Sequence, residues 1–321
     1  YLKSYNLVSP EAFFSATQSR MEIGYVIYMR VIALLGFSYL GFQIITSALI
    51  LFSLSRFIYK YSNNVAFSFF VFMTTRMFFA TMNISRQYLA VAILLFTVEF
   101  IREGKFIKFS LLVLVASSFH FTAIIFLIAY PLVNLKLNAK KTILLIGGGI
   151  INALLFDQMV KFFVAVTGRY AGYLEGGYFN FESNFAIYLN LGINLLFFLV
   201  AFLTKYWKSR LPQKYNIKTQ SNNKFHNHKI SDEQLWYTFC LLTLILSIIG
   251  INATILSRVE AYFSVFFLTF IPRIIKHIKS KELRAIVTLG IIAGLFASFV
   301  VVMVFRPYWT TVFPYQWYWN W

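Results

Sequence analysis

Apolar residues dominate this chain in long runs separated by short polar stretches. The runs show neither the strict alternation of a half-buried strand nor the narrow stripe of a soluble amphipathic helix. They fall at about 38–59, 65–82, 84–101, 106–118, 120–134, 142–163, 185–205, 235–256, 259–275 and 285–305. A shorter apolar stretch, Ile23 to Phe37, precedes them. Most runs approach the ~20 residues that a helix needs to cross a hydrocarbon core of ~30 Å. A helix also satisfies its own backbone hydrogen bonds, which lipid cannot do for it. The pattern predicts an all-α fold, a polytopic transmembrane bundle with about nine or ten membrane-embedded helices. It forms a single integral membrane domain over 1–321.

Composition agrees: 59% of residues are hydrophobic, 20% aromatic and only 12% charged. A soluble protein would need far more charge on its surface. The net charge of +18 raises the question of nucleic acid. However, Lys and Arg are concentrated in short loops between the apolar runs, where positive charge orients membrane helices. Nucleic-acid binding is therefore not expected.

The basic loops hold Arg56 and Lys60; Arg102, Lys105 and Lys108; Lys136, Lys140 and Lys141; seven Lys or Arg from Lys205 to Lys229; and five from Arg273 to Arg284. The positive-inside rule makes these loops cytoplasmic, including a flexible basic loop at 206–234. It also settles the path around His120. One span over 106–134 would place Lys136, Lys140 and Lys141 outside, whereas two short spans or a re-entrant pair keep them inside, with His120 at an outward turn. Arg86, an outer loop at 165–184, the tight connection Ser257-Arg258-Val259-Glu260 and the tail from Arg306 then share the outer side. The chemistry is expected there, in a multi-pass protein of a bacterial cytoplasmic membrane. The stretch from Tyr1 to Arg20 lacks the pattern of a signal peptide, so the sequence reads as starting inside a longer protein.

Ionisable groups near the membrane interior are costly unless paired or hydrated, so each is a candidate for function. The Arg86 guanidinium offers a rigid fork of donors suited to phosphate or carboxylate; snorkelling to headgroups is the alternative. His120 offers an imidazole, a side-chain type whose reference pKa near 6.5 suits a general base; a hydrogen-bonded structural His is the alternative. Arg258 and Glu260 pair with each other or clasp a ligand. Arg76 and Arg30 fall within apolar runs and should face protein or water. In the outer loop, Arg169 adds a cation. Tyr173 and Tyr178, among glycines, offer faces on which sugar rings can stack, although an interfacial aromatic belt explains them too.

Several classes are absent. There is no GxxxxGK[ST] loop, no HExxH, no cluster of Cys or His and no Asp-x-Asp grip for a metal-bound nucleotide. No metal and no cofactor are expected. Gly147-Gly148-Gly149 lies within a run and reads as close helix packing.

One stretch carries a resemblance. In order and spacing, Ser85-Arg86-Gln87-Tyr88-Leu89-Ala90, Phe106-Ile107-Lys108-Phe109, Ala116-Ser117-Ser118-Phe119-His120-Phe121-Thr122-Ala123 and Tyr130-Pro131-Leu132 are similar to the EpsG family of exopolysaccharide clusters. That family is grouped with Wzy-type polymerases. Arg258, Tyr262-Phe263, Ile271-Pro272-Arg273, Glu22 and Tyr25 add to the likeness. The family's further N-terminal span and its Gly, Asp and Tyr-rich outer loop do not precede this stretch, in keeping with truncation.

The resemblance implies polymerisation of polyprenyl-diphosphate-linked oligosaccharide repeats at the outer leaflet, in capsule or exopolysaccharide synthesis. The lipid diphosphate would be the leaving group, and partners would include membrane lipid, a flippase and a chain-length regulator. Arg86, Arg258 and Arg169 would then bind the diphosphate, Tyr173 and Tyr178 the sugar, and His120, Glu260 or Glu22 would take the acceptor proton. Two other classes stay open. A flippase or exporter of lipid-linked oligosaccharide needs a charged path reaching the cytoplasmic half. A membrane O-acyltransferase acting on glycans needs a route for an acyl donor.

Overall fold

The computed structural model describes residues 21–135, 137–167, 185–209, 230–251, 254–278 and 280–305. Among these residues the chain is helical, without strands. The α-helices, in chain order, are α1 (Ile23–Leu34), α2 (Tyr39–Tyr61), α3 (Val65–Thr74), α4 (Met77–Asn83), α5 (Ser85–Leu94), α6 (Thr97–Arg102), α7 (Phe106–Phe119), α8 (Ala129–Asn134), α9 (Ala139–Thr167), α10 (Phe185–Ser209), α11 (Asp232–Ile249), α12 (Thr254–Ser264), α13 (Phe267–His277) and α14 (Lys281–Phe305). A 3₁₀ helix, Phe121–Ile128, lies between α7 and α8.

Local chemistry sets these boundaries. Ser38 caps α2 by accepting from Gly41 N–H at 3.3 Å, Asn64 caps α3 through Phe67 N–H at 3.0 Å, and Ser231 caps α11 through Gln234 N–H at 3.3 Å. The 23 residues of α2 extend ~35 Å at 1.5 Å per residue, enough to cross a bilayer.

Four helices are long and apolar enough to cross: α2, α9, α11 and α14. The pair α3–α4 makes a fifth if counted as one span bent by 57°. α1, α7, the stretch Phe121–Asn134 and Ile187–Leu203 are shorter apolar helices. The sequence pattern counted each apolar run as one embedded helix, but several runs hold two helices. The run at 65–82 breaks at Arg76, the only non-glycine with positive φ among the described residues (φ 65°, ψ 10°).

The chain divides into two compact units. The first comprises the described parts of Tyr1–Ile101, Lys105–Leu127 and Gly294–Trp321. Its centre is α5, on which Gln87 through Ala92 and Leu94 are all buried, as befits a helix surrounded by other helices. The second comprises Arg102–Gly104 and the described parts of Ile128–Ala293. Its centre is α11, buried without interruption from Leu235 to Leu244. There an added Cβ on Gly149 of α9 would lie 3.1 Å from Ile245, whereas Gly147 and Gly148 face open space. The packing role read for the glycine run therefore belongs to one glycine.

The reversal expected at His120 is present. His120 ends α7 in an extended conformation (φ −153°, ψ 109°). The rings of Phe109 and Phe126 then lie 6.1 Å apart. One continuous helix would separate those two residues by ~25 Å.

Candidate functional site

Three of the sequence candidates meet in the first unit. Glu22 stands immediately before α1, with extended backbone (φ −68°, ψ 141°), and its side chain does not cap its own helix. It reaches across the fold instead. Oε2 accepts from Arg86 Nη1 at 2.7 Å, and Oε1 accepts from the backbone N–H of Phe121 at 3.1 Å. That N–H opens the 3₁₀ helix and has no intrahelical partner, so Glu22 caps a helix other than its own. His120 Nδ1 lies 3.2 Å from the same Oε1, within ion-pair range but off the direct line of an N–H···O bond. The Arg86 guanidinium also sits 5.7 Å over the ring of the buried Tyr25.

The three ionisable side chains are each about one-fifth exposed, at 20%, 23% and 17% for Glu22, Arg86 and His120. The cluster is thus sheltered yet reachable. Burial alone would raise the Glu22 carboxyl. The close approach of the His120 imidazole, the hydrogen bond from Phe121 N–H and the Arg86 charge outweigh burial and hold the pKa at about 2.

A close helix contact makes the cluster possible. A Cβ on Gly24 would lie 2.2 Å from Ser118 Oγ and 2.8 Å from both Ser118 Cβ and its backbone oxygen. Only glycine lets α1 approach α7 closely enough to set Glu22 beside His120.

Comparison with known proteins fits this picture. A family-level sequence match to the EpsG family covers residues 1–317. The chain belongs to that family. Its members are exopolysaccharide-related, polymerase-like membrane proteins. Neither a curated protein nor a solved structure matches this EpsG chain.

The second unit of this EpsG-family chain holds Glu260, and here the sequence expectation needs correcting. Ser257-Arg258-Val259-Glu260 is not a tight connection between spans; it lies within α12. Residues two apart on a helix point to different sides. Arg258 is accordingly exposed and Glu260 buried, with 5% of its surface exposed. The carboxylate is held by amides: Asn190 Nδ2 donates to both oxygens at 3.0 Å, and Asn194 Nδ2 donates to Oε1 at 2.8 Å. Asn194 also donates to Ser247 Oγ at 2.6 Å. The spacing of Asn190 and Asn194, four apart on the apolar α10, places both amides on one face. That spacing was the available signal, and the sequence reading passed over it.

A second cluster, also missed, joins Asp232 to Arg273 Nη1 at 2.6 Å and to Arg102 Nη2, at the start of α11. Arg102 is only 7% exposed. It is therefore a buried structural partner, although the sequence places it only in a basic loop. Arg169, Tyr173 and Tyr178 lie outside the described residues, as do most of the expected loops at 165–184 and 206–234. Among the described residues there is no group of His, Cys, Asp and Glu able to hold a metal ion.

Proposed function

We propose that this protein joins polyprenyl-diphosphate-linked oligosaccharide repeats at the outer face of a bacterial cytoplasmic membrane. The observation that carries this reading is the meeting of Glu22, Arg86, His120 and the Phe121 N–H in one sheltered cluster. An outer position for this cluster is supported by the lysine-rich loops, which by the positive-inside rule favour a cytoplasmic position for the opposite ends of the helices.

The chemistry is glycosyl transfer. A hydroxyl of one repeat attacks the anomeric carbon of another, the new C–O bond forms, and the bond to the diphosphate breaks with its electron pair leaving on the lipid diphosphate. The hydroxyl proton needs an acceptor. Glu22 is a poor one, because a carboxyl with a pKa of about 2 binds protons weakly near neutrality. His120 is better suited. Glu22 faces its Nδ1, leaving Nε2 as the atom that receives the proton, an arrangement that follows the carboxylate–imidazole logic of hydrolytic triads. Arg86 locks Glu22 in place and lends its charge to the same region. The lipid diphosphate is already an activated leaving group, so the transfer needs no nucleotide at this step.

The test is to express the full-length gene in a polymerase-deletion strain and compare polymer length for wild type, His120→Ala and Arg86→Ala at equal membrane abundance. Long polymer from wild type, with single lipid-linked repeats from both variants, is the expected result. Normal polymer from both variants would remove the cluster from the chemistry. Repeats trapped on the inner leaflet with wild type would favour the flippase, and acylated but unpolymerised glycan the acyltransferase.

A further inference from the structure

Glu260 is buried with a charge that no cation beside it balances. Among the described residues, no Lys, Arg or His pairs with it. Only the neutral amides of Asn190 and Asn194 bond to it, with Ser247 holding Asn194. Two helical paths give its depth. Ser247 lies ~22 Å along α11 from Asp232, and Glu260 lies ~20 Å along α12 and α13 from Arg273, the residue with which Asp232 pairs. Both paths put the carboxylate inside a hydrocarbon core of ~30 Å, toward the end away from those basic residues.

The hydrogens of this cage are arranged for the ionised form. Asn194 uses its Nδ2 on Oε1 and on Ser247 Oγ, while Ser247 donates to the Thr243 carbonyl at 2.9 Å. Asn190 divides its bond between the two carboxylate oxygens, so Oε1 accepts twice and Oε2 once. Bonds to an ionised acceptor are the stronger kind, and together they offset much of what a lone buried carboxylate costs. Protonation removes the same cost by removing the charge. The two forms are then close in free energy, which is what a group needs in order to exchange a proton. Other titratable groups on these helices point or lie elsewhere. Arg258 and Tyr262 are two positions away on α12, on other sides, and Tyr188 of α10 and Lys161 of α9 are exposed. Cys240 lies ~10 Å farther down α11, at whose start stand Asp232 and Glu233.

We propose that Glu260 is a proton-binding site that fastens α10 to α11 and α12 when ionised and loosens it when protonated. The proton adds to Oε2, the oxygen with fewer bonds, and neutralises the carboxylate. The new O–H is a donor facing the Asn190 N–H, also a donor, so that bond breaks. The Asn190 amide must then turn its Oδ1 inward or swing away, whereas Asn194 stays tied to Ser247. Asn190 is half-buried and forms the edge of the cage. It lies ~8 Å from the start of α10, so that end of the helix is the part set free. The inference goes beyond the polymerase reading and does not depend on it.

The test uses the purified full-length protein in nanodiscs, titrated from about pH 8 to about pH 4. Infrared difference spectroscopy follows it, because the carbonyl stretch of a protonated carboxyl is distinct from that of a carboxylate. A protonated-carboxyl band should grow on acidification in wild type and be missing in Glu260→Gln. Asn190→Leu removes a donor to the ionised form, so it should raise the proton affinity about tenfold and move the midpoint of the band to higher pH. A nitroxide on Tyr188→Cys reports the helix itself, since Cys240 is buried and stays unlabelled. Its mobile fraction should rise about threefold or more on acidification with Glu260 present, and should not change with pH in Glu260→Gln.

A Glu260 carboxyl that stays ionised, or stays protonated, across the whole range overturns the inference. So does a label whose mobility follows pH equally in Glu260→Gln. A midpoint that is unmoved or lower in Asn190→Leu overturns it as well, and that variant leaves the carboxyl itself in place.

Discussion

Glu22 works through ionisation, and its pH dependence follows from that. Its folded pKa of about 2 lies below the reference value of 4.5. The stability it contributes is therefore present in full above pH 4.5 and is lost as pH falls from 4.5 through 2. With solvent screening at a partly exposed site, the loss should be on the order of 1 to 2 kcal/mol. Thermal unfolding of detergent-solubilised protein should show a fall in melting temperature across that window, and the fall should be much smaller in Glu22→Gln. Equal slopes in the two proteins would mean that the carboxylate is not held as described.

His120 and Arg86 were legible in the sequence because an ionisable side chain beside an apolar run is costly and so draws notice. Glu22 was legible only through the family likeness. Its partners lie 64 and 99 residues away, and no local pattern encodes such a contact. Glu260 was noticed but given the wrong surroundings. Its sequence neighbour Arg258 suggests a pair or a shared ligand clasp, whereas helical geometry gives the carboxylate to the amides of α10.

At the scale of elements, the hairpin around His120 was predicted from charge rather than periodicity, since only a reversal keeps three lysines on the basic side. The breaks inside apolar runs were not foreseen. Within 84–101 the sequence stays apolar through Leu95 and Phe96 while the helix stops there, and at 65–82 only the short polar triplet Thr74-Thr75-Arg76 marks the bend. Composition records how well a segment suits lipid and says little about whether it stays one helix.

The contact between α1 and α7 depends on one missing Cβ. Gly24→Ala should therefore destabilise the protein by about 1 to 3 kcal/mol, the usual cost of overpacking, and displace Glu22. Adding Ser118→Ala should rescue it only in part, because the Ser118 backbone oxygen also lies 2.8 Å from the new Cβ. Full rescue in the double variant, read by melting temperature and polymer length, would contradict this account.

At the scale of the molecule, each unit is built around one helix buried on nearly every side, α5 in the first and α11 in the second. An all-helical membrane protein was plain from the sequence. The choice of central helix was not, because α5 carries Ser85, Arg86 and Gln87 and is less apolar than α14, much of whose surface stays exposed. In a membrane the most hydrophobic segment can face lipid, and the centre goes to residues that need protein partners.

The cluster of Arg102, Asp232 and Arg273 anchors the start of α11 in the second unit. Asp232→Asn removes the charge shared by two guanidinium groups and should cost about 1 to 3 kcal/mol, measured as a lower melting temperature. Charge reversal of either Arg should be worse than its neutralisation. A melting temperature unchanged in Asp232→Asn would show that the two cations find other compensation.

The span from Glu22 to Phe121 also sets a schedule. A ribosome adds the intervening 99 residues in about 5 to 20 seconds. α1 can already have emerged early in that interval, while its flanking carboxylate waits 64 residues for Arg86 and all 99 for the Phe121 N–H. The charge cluster forms only when the hairpin at His120 arrives. A nascent chain stalled before Phe121 would therefore hold much of its first unit, but not the completed charge cluster.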